Sequence, residues 1–250
     1  MTNKYMYFIA NWKMYGDLKS LNSLNKVIKF SNKHKKKKIK LIYCPPYTLL
    51  EPFSKKIKKT KIELGAQNCH FEISTGPFTG SISPTMLKKI GSNYVIIGHS
   101  ENRSTGETDT QINKKINSSI KCGLKIIFCI GETFIQKKKK LTNKILQKQI
   151  LKGLSKTRNL NRILIAYEPI WSIGTGVIPK NHELDKNINF IKIILKNNLK
   201  IKNPRVLYGG SVNSKNVKNL ASIKNIDGFL VGGASQKAKN FIDIVKKTII

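Results

Sequence analysis

Glu168 is the side chain with the most chemistry to offer. It follows an apolar run at 163–166 that reads as a buried strand. A carboxylate at the end of such a strand is costly to desolvate unless it is put to use. Pro169 bars further pairing and stiffens one side of the loop. Ile170 and Trp171 are large apolar groups at a strand exit, and Gly174-Thr175-Gly176 supplies backbone freedom. A carboxylate, a greasy flap and two glycines suit a general base beneath a closing lid. The same residues also suit a surface loop whose tryptophan packs on a neighbouring helix.

Three further clusters carry chemistry. Asn11-Trp12-Lys13 ends the first apolar run, and residues two apart share a face of an extended chain, so Asn11 and Lys13 can point together into a pocket. The lysine offers a compact positive charge for an anion, or is simply solvated past the strand. Gly98-His99-Ser100-Glu101-Asn102-Arg103-Ser104 follows the fourth run. Backbone N–H groups at a helix start disfavour imidazolium, so His99 reads as a neutral hydrogen-bond donor or as a structural histidine tied to a carbonyl. His34, His70 and His182 lie in polar segments without such clustering and read as structural. Two glycine pairs, in Tyr208-Gly209-Gly210-Ser211 and Val231-Gly232-Gly233-Ala234-Ser235, follow the last two runs. Each is a tight turn or a place where N–H groups converge on an anion, and two on consecutive strand ends favour phosphate.

The elements that position these clusters alternate. Strand-like runs at 5–11, 40–44, 62–68, 94–97, 125–130, 163–167, 205–208 and 228–231 are separated by lysine-rich stretches with apolar residues at helical spacing. Leu18, Leu21, Leu24 and Ile28 form one such face, and Leu184, Ile188, Ile191 and Leu195 another. Eight units in 250 residues give about 31 residues each. The alternation predicts an α/β fold of parallel βαβ units: a single domain over 1–250, a closed (β/α)8 barrel with an open doubly wound sheet as the alternative. Both architectures place their sites at the carboxyl ends of strands, which is where the clusters fall.

Charge is the odd feature, with Lys and Arg 47 against Asp and Glu 13 and a net +34. Nucleic-acid binders concentrate charge on one face and interleave arginine or aromatics. Here lysine is spread over most helical stretches, so compositional drift explains it better, and the field would draw in an anionic substrate. There is no charged-then-apolar leader and no apolar run of about 18 residues, so neither export nor membrane spanning is expected. Cys44, Cys69, Cys122 and Cys129 show no metal-ligand spacing and read as thiols.

In order and with fitting gaps, Asn11-Trp12-Lys13-Met14, Gly98-His99-Ser100-Glu101, the stretch 166–176, Tyr208-Gly209-Gly210-Ser211-Val212 and Val231-Gly232-Gly233-Ala234-Ser235 resemble the triosephosphate isomerase family over essentially the whole chain. The resemblance implies a TIM barrel that interconverts dihydroxyacetone phosphate and D-glyceraldehyde 3-phosphate in glycolysis and gluconeogenesis, without metal or organic cofactor. Glu168 would be the base and neutral His99 the electrophile, a division for which the family is itself a standard example. Asn11 would assist His99. Lys13 would offset substrate charge and pair with Glu101, and N–H groups around Gly174, Ser211, Gly232 and Gly233 would hold the phosphate. The resemblance further implies a cytoplasmic homodimer docked through the 71–83 loop, with no specific nucleic acid and no membrane as partners. It also places Cys129 near the site without a catalytic part.

Three departures stand out. Asn102 occupies a position where the family commonly has arginine, Tyr15 replaces a smaller polar residue, and Val177-Ile178-Pro179 replaces a lysine-led hinge. Proline fixes its own φ and restricts Ile178 before it, so a slower lid is expected. Two rival readings remain open at this point. A Schiff-base aldolase barrel needs a lysine inside the barrel near a middle or late strand end, where this chain has Glu168. A basic nucleic-acid module on a retained barrel would tolerate loss of the four catalytic residues, and none is lost.

Overall fold

The computed structural model describes residues 5–249. Eight strands form the expected closed parallel barrel in sequence order: β1 Met6–Asn11, β2 Ile39–Cys44, β3 Glu63–Ala66, β4 Tyr94–Ile97, β5 Lys125–Ile130, β6 Ile163–Tyr167, β7 Arg205–Tyr208 and β8 Gly228–Val231. These runs are nearly all apolar because both faces are covered, as parallel sheets require. Ile9, Ile42, Ile96, Ile127, Leu164, Leu207 and Leu230 fill the barrel interior. Alternate residues such as Phe8, Tyr43, Val95 and Phe128 face the helices instead.

The helices obey local rules. Pro84–Ile90 starts with Ser83 accepting from Met86 N–H at 3.2 Å, has proline in its first turn, and ends at Gly91 with φ 99°. Asp109–Lys121 is opened by a Thr108–Gln111 capping box. Leu184, Ile188, Ile191 and Leu195 all lie buried along Asn181–Asn197. The other expected helical face is only partly realised. Leu18–Ser23 is a 3-10 turn before the helix Leu24–Lys33, and Leu18 points to solvent while Leu24 is buried. The third strand is also shorter than the 62–68 run, because Gln67 leaves the ladder to serve the first strand's loop. Among the described residues no helix is long and apolar enough to cross a membrane.

Register places the functional ends side by side. Ala10 pairs with Val231, so Asn11 stands beside Gly232. Tyr167 pairs with Tyr208, so Glu168 stands beside Gly209.

Candidate active site

A cavity of 260 Å³ opens at the carboxyl ends of the strands. It brings together Asn11, Lys13, His99, Glu168, Gly174, Ser211, Gly232 and Gly233, contributed by five strand ends and one lid.

Asn11 and Lys13 converge for a different reason from the one the sequence suggests. The strand ends at Asn11, and Lys13 has a left-handed backbone with φ 54°. That conformation is uncommon for any residue with a Cβ. Two side chains hold it. Asn11 Oδ1 accepts from Lys13 N–H at 3.0 Å, and Gln67 Nε2 donates to Lys13 O at 2.7 Å and to Cys44 O at 2.9 Å. The Lys13 ammonium then reaches Glu101 at 2.5 Å.

His99 caps the short helix Ser100–Ser104, and its Nδ1 accepts from Glu101 N–H at 3.2 Å. The Glu101 carboxylate lies farther off, 3.6 Å from Nδ1, and is engaged by Lys13. With Nδ1 as acceptor, the ring is neutral and carries its proton on Nε2. Nε2 faces Glu168 Oε1 at 3.5 Å.

Glu168 is 2% exposed, and its Oε2 has no hydrogen-bond partner among the described residues. Desolvation pushes its pKa above the usual carboxylate value, with the Glu101 carboxylate adding to the rise, while the hydrogen bond of the Cys129 thiol and the Lys13 ammonium pull it back. Cys129 is itself driven well up by burial and by the neighbouring Glu168, so it stays a thiol. A raised carboxylate against a neutral imidazole donor can take a proton from carbon and return it.

The glycine pairs divide their work. Added methyls at Gly209 and Gly210 would lie 2.6 Å from Glu168 Cγ and 2.3 Å from the Tyr208 hydroxyl. This pair clears space for the carboxylate and the lid anchor. Gly233 faces open space and a methyl at Gly232 would meet only Lys13 Cε, at 3.5 Å; both lie at the start of the 3-10 turn Gly233–Ser235, where first N–H groups lack internal partners.

The lid is tied at both ends. Ser172 Oγ donates to Val177 O at 2.6 Å and shares a 2.8 Å bond with the Tyr208 hydroxyl. It also accepts from Ser211 N–H at 3.4 Å, so one expected phosphate donor is engaged by the lid here. Trp171 Nε1 donates to Glu132 at 2.9 Å, and the Tyr167 hydroxyl donates to the same carboxylate. Asn187 Nδ2 in turn donates to that hydroxyl at 2.9 Å, and Lys137 covers the indole at 3.7 Å.

The triosephosphate isomerase family model matches residues 6–248. Triosephosphate isomerase of Dictyoglomus thermophilum is 42% identical over 247 residues, covering 95% of this chain and 97% of that protein. The enzyme of Thermodesulfovibrio yellowstonii is 41% identical, with 96% and 98% covered. The crystal structure of triosephosphate isomerase from Bartonella henselae superposes with a TM-score of 0.87 at 33% identity, covering 97% of this chain and 98% of that one. The chain belongs to the triosephosphate isomerase family.

Against the family pattern, Asn102 lines a 240 Å³ cavity with Asn68, Glu107 and Lys115. Arginine's charge is not missed there, because Lys115 pairs with buried Glu107 from the next helix and also donates to Asn68 at 3.1 Å. Arg103 makes its own pair with Asp109 at 2.8 Å. Glu132, Ser172, Tyr208 and Gln67 also shape the site, although residue type and spacing single out only Glu132 among them. Glu132 carried a readable signal, a second carboxylate just past a strand end in Cys129-Ile130-Gly131-Glu132. The others are ordinary polar residues whose partners are distant in sequence.

Proposed function

We propose that this single 1–250 domain interconverts dihydroxyacetone phosphate and D-glyceraldehyde 3-phosphate through an enediolate, with Glu168 as the base. Family membership makes the chain an isomerase of triose phosphates. The observation that carries the residue assignment is the facing pair, Glu168 Oε1 and His99 Nε2, in a cavity also lined by the Gly232–Gly233 turn. The cavity is smaller than the roughly 300–1,000 Å³ typical of drug-sized ligands, which fits a three-carbon ester.

Glu168 removes a proton from the carbon next to the carbonyl and delivers it to the neighbouring carbon. His99 Nε2–H polarises the carbonyl and exchanges protons with the enediolate oxygens, assisted by Asn11. The barrier lies in creating that enediolate charge, so fixed donors and the Lys13 ammonium favour the transition state over the substrate. N–H groups at Gly174, Ser211, Gly232 and Gly233 hold the phosphate, with Ser211 released from Ser172 as the lid closes. Closure then excludes water and strengthens the base. The reading calls on no metal or organic cofactor.

We infer a cytoplasmic homodimer. The loops after β1, β2 and β3 are barrel neighbours and expose Met14 at 93%, Tyr15 at 59%, Tyr47 at 40%, Ile73 at 39% and Phe78 at 41%. Apolar side chains so grouped favour a covering partner, and a second copy docked through the 71–83 loop beside Lys13 fits.

The deciding experiment is a coupled assay with glyceraldehyde 3-phosphate on the natural protein and Glu168→Asp. A base retracted by one methylene should lose about a hundredfold or more in kcat. Turnover unchanged by that retraction would remove Glu168 from the role of base.

A further inference from the structure

At the opposite end of the barrel, by the strands' amino ends, lies a cavity of 790 Å³, three times the volume of the catalytic one. Eight of its lining residues are lysines, and its one carboxylate is Glu63. That carboxylate is already engaged by Lys40 at 3.2 Å and Lys125 at 3.7 Å. Lys35, Lys58 and Lys89 are exposed at this cavity and form no ion pair among the described residues.

The obvious explanation for these lysines is helix capping. Leu24–Lys33, Leu50–Ile57 and Pro84–Ile90 all end here, and cations favour carboxyl-terminal helix ends. Magnitudes argue against that as the whole explanation. Three helix ends present roughly half a negative charge each. With Glu63, and with Glu51 pairing Lys55 at 2.7 Å, they offset fewer than four of the eight lysine charges. The cavity keeps a strong positive surplus inside a concave wall of low dielectric, which focuses the field. The wall is also broad rather than a point, so it suits charges strung over several ångströms better than one compact anion. Tyr5, 46% exposed at the rim with Lys40 over its ring at 5.4 Å, adds a free aromatic face.

We propose that this cavity binds an oligophosphate, a run of three or more linked phosphate groups, at a site separate from the isomerase centre. Tripolyphosphate and ATP share that chemistry. A nucleoside would add stacking on Tyr5, and the inorganic chain would use the lysines alone.

Isothermal titration of the full chain with tripolyphosphate, ATP and orthophosphate at about 0.15 M salt tests this, since longer-range surface effects are then screened. The cavity variant is Lys35→Gln/Lys58→Gln/Lys89→Gln, which creates no new acid at a helix end and leaves the catalytic cavity untouched. The control is Lys144→Gln/Lys148→Gln/Lys152→Gln, which removes the same charge from the exposed face of Thr142–Gly153. Circular dichroism melts establish that both are folded. Tripolyphosphate should bind the natural protein and the control alike, bind the cavity variant about tenfold or more weakly, and outcompete orthophosphate. Tighter ATP than tripolyphosphate, abolished by Tyr5→Ala, would identify a nucleotide as the natural class. Equal affinity would identify the bare phosphate chain. Equal losses in the two variants would show a diffuse field and overturn the site, as would binding that survives in the cavity variant or orthophosphate binding as well as tripolyphosphate.

Discussion

Gly209→Ala offers a sharp test of how the base is placed. Gly209 has an ordinary backbone, so alanine brings no penalty from a positive φ. Its methyl would stand 2.6 Å from Glu168 Cγ and 3.1 Å from Oε1. Carbon atoms pack at about 3.5–4.0 Å, so the Glu168 side chain must retreat by about 1 Å. Glu168 Oε1 lies 3.5 Å from His99 Nε2, and a retreat of that size alters this approach. A misplacement of about 1 Å at a reacting group costs about a hundredfold in rate, or about 2.7 kcal/mol of transition-state free energy. The loss should fall on kcat, because the phosphate turn at Gly232 and Gly233 is untouched. Gly233→Ala is the complement. Its methyl meets no atom within 4 Å, so the fold tolerates it, but it intrudes where the phosphate is placed and should raise KM. Steady-state kinetics of both variants, with circular dichroism melts to establish folding, provide the readout. If folded Gly209→Ala kept kcat within about threefold, the crowded placement of Glu168 would not be what sets the rate.

Lys115→Met should destabilise the fold by about 3–5 kcal/mol, since it leaves the buried Glu107 carboxylate unpaired, and adding Glu107→Gln should recover most of that in urea melts. No recovery in the double variant would mean that lost packing, not the stranded charge, sets the cost. Burial raises the Glu168 pKa, so the folded state binds this proton more tightly than the unfolded chain does, and the ionised group weakens the fold at neutral pH. Glu168→Gln should therefore melt higher than the natural protein at pH 7, with the gap closing as pH falls towards 4.5. A gap independent of pH would refute this. Pro179 is buried at the end of the lid. Pro179→Ala should speed lid exchange by NMR relaxation dispersion, and equal rates would discard the stiff-hinge idea. Met14→Glu should shift a dimer to monomer in light scattering, and an unshifted mass would move the interface elsewhere.

The barrel and the positions of its clusters were legible because parallel strands buried on both faces read as short apolar runs. Chemistry then gathers where those runs stop. Glu168 and His99 could be picked out as polar residues placed where desolvation demands a reason. The shape of the site was less legible. A left-handed lysine leaves no mark in composition, and Lys13 is held in it by Asn11 and by Gln67, a residue of the third strand's exit. Gly209 and Gly210 looked like phosphate turns, yet their nearest constraints are the side chains of Glu168 and Tyr208. Glycine in a sequence announces that something comes close, but only the folded neighbours say what. The same holds for Ser172, whose hydroxyl joins the lid to the seventh strand across a long span of sequence.

Whether the sheet closes decides whether this site exists at all, and periodicity alone left that open. In an open sheet the first and last strands need not meet, and the Lys13 ammonium could not share a cavity with Gly232 and Gly233 on that account. Closure is made by four pairs between β1 and β8, from Tyr7 with Gly228 to Ala10 with Val231. Gly228 has φ 151°, and a methyl there would lie 2.1 Å from Tyr7 O. No side chain fits that approach, since atoms so close must shift against backbone held by the ladder. The amino end of the closing seam therefore requires a residue without a Cβ at the start of β8. Because β1 and β8 run parallel, a seam closed at their amino ends sets Asn11 beside Gly232 at their carboxyl ends. The closed seam thereby brings Lys13 and the Gly232–Gly233 turn, the proposed phosphate site, into one cavity.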